Sequence, residues 1–201
     1  MTALEVLEKS EIFSLPVDIN RIADAFGIKI FSYKEITRQY DITMKELYFL
    51  SALGFSFSDG GQPVCAVNEN ACGNMRRRWT MAHEISHCLL GHVKPSPQPL
   101  SQREEREADA FAAQLLAPLV VVHYCAVSSP RELATLCRIS DKAAGYRYRE
   151  LTELRESCAE CCRSCAPYGG ALADSSALCT LSRFAPFIAE YLCERPCRFS
   201  D

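Results

Sequence analysis

The chain has 201 residues, 48% of them hydrophobic, and a formal net charge of −3 at pH 7. That is enough apolar material for one moderate core plus an appendage, and the near-neutral balance gives no overall bias toward nucleic acid or membrane. Residues 1–11 already carry Glu5, Glu8 and Lys9, unlike a signal peptide, and the longest apolar stretch, 115–122, contains Pro118 and is too short for a bilayer. A cytoplasmic protein with no membrane partner is the expectation. In chain order, Asp18 is placed to cap a short helix that runs to Phe26 and ends at Gly27, with 28–31 continuing as a strand. A second helix is predicted over 43–50. Alternation across 52–58 and 63–68, around Asp59-Gly60-Gly61, predicts a β-hairpin.

The next segment carries chemistry. His83-Glu84-Ile85-Ser86-His87 is a complete HExxH, flanked by Trp79, Ala82, Leu89 and Leu90 at roughly helical spacing and stopped by Gly91. Residues four apart share a helix face, so both imidazoles can reach one metal. Glu84 lies beside them, where it can take a proton from a metal-polarised water. The alternative is a histidine pair with no metal, and acidic residues further down the chain weaken it.

A tetrahedral catalytic zinc needs a third protein ligand. A third histidine six residues on is absent: position 93 is Val, and His92 falls one residue early, beyond Gly91. Instead Ala108, Phe111, Ala112, Leu115 and Leu116 mark an amphipathic helix closed by Pro118, joined to the first by a loop with Pro95, Pro97 and Pro99. Glu105 and Asp109 share one of its faces. Glu105 is the candidate metal ligand, and Asp109 can accept the spare N–H of a liganding imidazole. Glu107 is the rival ligand, about 200° away around the helix. The plainer reading is a solvated first turn, favoured there by the helix dipole.

The last third is less specific. Residues 130–155 resemble a helix-turn-helix, with Ser140 capping the second helix. Arg147, Arg149 and Lys142 are modest for a recognition helix, and Glu150, Glu153 and Glu156 oppose one, so direct DNA binding is disfavoured. His123 and Tyr124, read as following an apolar strand, are candidate transition-state donors left outside the catalytic set. Arg76, Arg77 and Arg78 read as a solvated helix start, or as a steering patch for an acidic partner. Seven of the twelve cysteines lie from residue 158 onward. Cys158 and Cys161 (or Cys162 and Cys165) with Cys193 and Cys197 have spacing that can close a four-cysteine structural zinc site, although the second pair has one residue more than the tightest knuckle. Reduced thiols and disulfides are the alternatives. Cys65, Cys72, Cys88, Cys125 and Cys137 read as small apolar fillers.

Taken together, these runs resemble the ImmA/IrrE family of zinc peptidases. The resemblance is carried by Met75 through Trp79 to His83-Glu84-Ile85-Ser86-His87, by Glu105 with Ala108, Asp109, Phe111, Ala112, Leu115, Leu116 and Pro118, and by Gly54-Phe55-Ser56, Asp59-Gly60-Gly61 and Pro63 to Asn68. It covers about residues 15 to 155. One departure is Asp109, where many members carry Asn; either side chain offers an oxygen to an imidazole N–H. The resemblance implies an α+β fold with a minimal zincin-like, thermolysin-like metallopeptidase domain: a small sheet, the HExxH helix and the Glu-bearing helix. It implies His83, His87 and Glu105 on zinc, Glu84 as general base, and a helix-turn-helix repressor of a mobile element or stress regulon as protein substrate. It also implies that strand 64–68 is a sheet edge to which substrate backbone adds. The expected organisation is a peptidase domain over 1–125, a helical extension over 126–157 and a Cys-rich tail over 158–201. A regulator that binds a repressor without cutting it, and a DNA-binding regulator built on 130–155, are the rival functions.

Overall fold

The computed structural model describes residues 1–71, 73–164 and 175–198, with side chains to residue 156 and again over 180–194. The order is α1 (Ala3–Lys9), α2 (Ile19–Ala25), β1 (Lys29–Ser32), α3 (Tyr33–Gln39), α4 (Met44–Leu50), β2 (Gly54–Asp59), β3 (Gln62–Val67), α5 (Asn74–Leu90), α6 (Gln102–Leu116), α7 (Leu119–Tyr124), α8 (Pro130–Cys137), α9 (Asp141–Ser164) and α10 (Ser175–Arg198). The class is α+β, with many helices and one small three-stranded sheet among the described residues. The chain divides into two compact units, one of residues 1–2 and 18–116, the other of 3–17 and 117–201.

In the first unit Asp18 caps α2, its carboxylate accepting from the amides of Asn20 and Arg21, and Gly27 turns the chain at φ 62°. Gly60 and Gly61, both at positive φ, form the two-residue turn between β2 and β3, as a type I′ hairpin requires. The sheet order is β1-β3-β2, with β1 parallel and β2 antiparallel to β3. This corrects the expectation that strand 64–68 is an edge: β3 is paired on both sides. Its composition explains why. Val64, Cys65, Ala66 and Val67 are all buried, the run expected of a central strand, and the edges of the sheet fall to β1 and β2.

Helix α3 is an addition to the elements expected from the sequence, yet its signal is local. Ser32 and Glu35 form a reciprocal capping box, as Thr43 and Glu46 do for α4. These two helices cover the sheet with Tyr33, Ile36 and Leu47, which pack with Phe57, Val64 and Ala66. The Tyr33 hydroxyl donates to the Ser51 carbonyl at 2.9 Å, so the polar end of a fully buried ring is satisfied.

In the second unit α1 packs on α10, and α7 packs on α9 and α10. The stretch before His123, expected as an apolar strand, is helix α7. Pro118, at φ −64°, sits at its N-cap, and Val121 and Val122 are buried on one side, so packing overrides the β preference of three valines. Ser140 does cap the helix after the turn, accepting from the Ala143 amide at 3.2 Å. Arg147 is buried, with Nε donating to the Ala117 carbonyl at 2.8 Å, so it does not present itself to a groove. Buried Glu132 accepts from the Ser128 amide and hydroxyl and from the Tyr191 hydroxyl at 2.8 Å. The expected four-cysteine site lies outside the described side chains for Cys158, Cys161 and Cys197; Cys193 is exposed. Cys65, Cys125 and Cys137 are buried, as fillers should be. Among the described residues no helix is long and apolar enough to cross a membrane.

Candidate metal centre and active site

Helix α5 carries His83 and His87 one turn apart, and α6 packs across it with Glu105 and Asp109. The two imidazoles meet edge to face, with their Nε2 atoms 3.0 Å apart. Glu105 Oε2 lies 3.2 Å from His83 Nε2 and 3.8 Å from His87 Nε2. Two ligand atoms held about 2.0–2.1 Å from one tetrahedral ion stand about 3.4 Å apart, so these separations bracket what such an ion demands. The donor chemistry fits too. His83 Nδ1 is 2.9 Å from Asp109 Oδ1, and an ionised carboxylate can only accept, so Nδ1 carries the proton and Nε2 presents its lone pair to the cluster. His83, His87 and Glu105 thus form a group that can hold a metal ion.

Burial sets the remaining electrostatics. His87 is 2% exposed, and burial, reinforced by neighbouring His83 and His92, pulls its pKa down to about 4, keeping it a neutral donor. Glu84 is 7% exposed, and burial raises its pKa to about 7 against the opposing effects of His83 and a hydrogen bond from Ser56. A carboxyl so shifted exchanges protons near neutrality. Burial, then Glu84, pushes the neighbouring Cys88 thiol up to about 12, which removes it as a nucleophile.

Gly54 allows β2 to lie close to this helix. A Cβ at position 54 would come within 2.8 Å of Thr80 Cγ2, 2.9 Å of the Ala66 carbonyl and 3.4 Å of Glu84 Cγ. The Glu84 carboxylate therefore rests against a strand that has no side chain there. A cleft of about 600 Å³ opens beside it, with Phe49, Leu50, Leu53, Phe55, Trp79 and Leu100 on its apolar walls and His83, Glu84, His87, Glu105 and Asp109 among its polar lining. The proline loop borders it through Pro97 and Pro99.

Glu107 does not join the His83, His87 and Glu105 group. Its Oε2 lies 3.4 Å from His92 Nε2, and His92 Nδ1 lies 3.1 Å from His87 Nδ1, a contact that the sequence does not announce. His123 and Tyr124 belong to the second unit, and the arginines 76–78 are not among the cleft's lining residues. Arg77 instead donates to Asn74 on its own helix.

The family comparison agrees with this geometry. The model of the Peptidase M78 family, described as an IrrE N-terminal-like domain, matches residues 23–149. The match spans more than half of the chain and both helices of the candidate centre, so the protein belongs to this family of peptidases, the one its motifs resemble. A comparison with curated proteins returns no match.

Proposed function

We propose that the protein is a zinc-dependent endopeptidase with a zincin-like centre, in which His83, His87 and Glu105 hold the metal, Asp109 orients His83 and Glu84 is the general base. The observation that carries this is the convergence of three donor atoms within 4.8 Å of one another beside a buried carboxylate in an open cleft. Bound zinc supplies Lewis acidity, which brings the pKa of water down to about 7 and polarises a carbonyl. Glu84 takes the proton from the attacking water and returns it to the departing amine. Its burial makes it basic enough for the first transfer and acidic enough for the second.

Substrate backbone has a place to add, on β2 rather than β3. Pro63, opposite Ser58, has no N–H, and the Ser58 amide points outward to the Lys94 carbonyl at 2.8 Å. Pairing alternates every second residue, so Ser56 also directs its N–H and C=O outward, and Ser56 lines the cleft. An extended peptide paired there runs past Glu84, with affinity from main-chain bonds and little demand on sequence. The substrate we assign is a helix-turn-helix repressor of a mobile element or stress regulon, with catalysis in residues 1–125 and docking by the helical pair over 126–157. Burial of Arg147 and the acidic run Glu150, Glu153 and Glu156 favour a protein partner over DNA.

Purified protein is expected to contain zinc and to cut a candidate helix-turn-helix repressor, read by mass spectrometry. Glu84→Gln keeps the shape but cannot accept the proton, so cleavage should fall by at least about 10²- to 10⁴-fold with zinc content unchanged. If Glu84→Gln relieved repression as well as wild type, repressor binding without cleavage would replace the peptidase.

A further inference from the structure

We infer that His92 and Glu107 form a positioning relay that fixes the tautomer of His87 through one intervening imidazole. This rests on the metal-centre reading above and deepens it. The relay begins with how α5 ends. Gly91 sits in the left-handed region at φ 76°, its amide bonds to the Cys88 carbonyl, and the His92 amide bonds back to the His87 carbonyl at 2.9 Å. This is a Schellman turn, which brings the residue after the glycine onto the side chain five positions earlier. That contact is usually apolar; here it sets one imidazole on another, Nδ1 to Nδ1 at 3.1 Å.

Proton assignment starts from the far end. Arg103 Nε donates to Glu107 Oε1 at 2.7 Å, which leaves Oε2 facing His92 Nε2 at 3.4 Å. A carboxylate only accepts, so His92 Nε2 carries the proton. His87 can serve the donor set only through a free lone pair on Nε2, so its proton sits on Nδ1, and across the 3.1 Å contact His87 Nδ1 donates and His92 Nδ1 accepts. His87 Nε2 is left as a lone pair, 3.0 Å from His83 Nε2 at the centre of the donor set. Both histidines therefore end in the same tautomer. Asp109 holds His83 directly, and Glu107 holds His87 at one remove. Because α5 and α6 pack together, the two carboxylates come from one helix and the two imidazoles they serve from the other. His92 is not a third histidine ligand: it sits behind His87, on the side away from the cluster.

The test uses the full chain and zinc itself. His92→Phe keeps a ring against His87 but offers no acceptor, and should weaken zinc binding about 10- to 100-fold by chelator competition. His92→Gln, whose carbonyl can accept from Nδ1, should recover part of that loss. Glu107→Gln should weaken binding by a smaller factor. Nitrogen-15 imidazole spectra of the metal-free chain should report His87 protonated at Nδ1 in wild type, and mixed tautomers in His92→Phe. Equal zinc affinity in wild type and His92→Phe, or a His87 protonated at Nε2 in wild type, overturns the relay. Should wild type bind no zinc, the peptidase reading fails on its own, and the imidazole spectra still decide the relay.

Discussion

Asp109 is 57% exposed at its side chain, while the histidine it orients is 16% exposed. Water can replace much of what an exposed acceptor supplies, so Asp109→Ala should weaken zinc binding by about 10-fold, the low end for groups that orient a ligand. Asp109→Asn keeps a carbonyl oxygen for His83 Nδ1–H and should stay near wild type. Equal losses in both variants would show that charge, not the hydrogen bond, is what matters. Tyr33 makes a separate point about stability. Burial raises its phenol from 10.0 to about 12, so between those values the unfolded chain has released a proton that the folded protein still holds. Stability must then fall as pH rises through that window, by up to about 2–3 kcal/mol, with no contribution below pH 10. Tyr33→Phe removes this term while losing the bond to Ser51, so its urea midpoint should start lower and show a shallower alkaline decline than wild type. Parallel declines would mean that another group carries the titration. His83, Glu84, His87, Glu105 and Asp109 are all legible in the sequence because a spacing of four on a helix needs no tertiary knowledge. His92 is not, since its place depends on a left-handed glycine that reverses the chain.

Between elements, the spacing of β2 against α5 depends on Gly54. Two of the three contacts that a Cβ would make there are shorter than 3.0 Å, and one is with a backbone carbonyl in the central strand, which cannot rotate away. Gly54→Ala should therefore push the strand from the helix, cost about 1–3 kcal/mol in urea unfolding, and displace Glu84. Cleavage should fall by more than the stability loss explains, because folded protein would still carry a misplaced base. A variant within about 0.5 kcal/mol of wild type and fully active would show that the interface yields at no cost. The same scale shows why some elements are legible and others are not. The β2–β3 hairpin can be read because Asp59-Gly60-Gly61 specifies its own turn. The parallel partner of β3 cannot, because β1 lies over 30 residues upstream and no local pattern records that register. Helix α7 passes for a strand because three valines favour one until their packing is known, whereas α3 does carry a start signal in Ser32 and Glu35.

For the whole chain, the fold dictates how bound metal must be counted. Removing the tail is a poor experiment. Phe184 and Tyr191 on α10 are buried in the second unit, and the Tyr191 hydroxyl satisfies Glu132, so truncation would strip a buried carboxylate of a donor. The cleaner route keeps all 201 residues and removes ligands that are partly exposed, leaving the core untouched. His83→Ala and Glu105→Ala, measured separately by metal analysis at equal protein concentration, should each lose one zinc equivalent relative to wild type. Unchanged metal content in both would sink the centre built on α5 and α6. Whatever zinc remains after that loss belongs elsewhere, and the Cys158, Cys161, Cys193 and Cys197 spacing is where we assign it. In that case Cys158→Ser with Cys161→Ser should remove the second equivalent and lower the unfolding temperature, because a structural zinc contributes on the order of 10 kcal/mol to the segment that it closes. If no zinc remains after His83→Ala, the tail cysteines hold none, and that assignment falls while the α5–α6 centre stands.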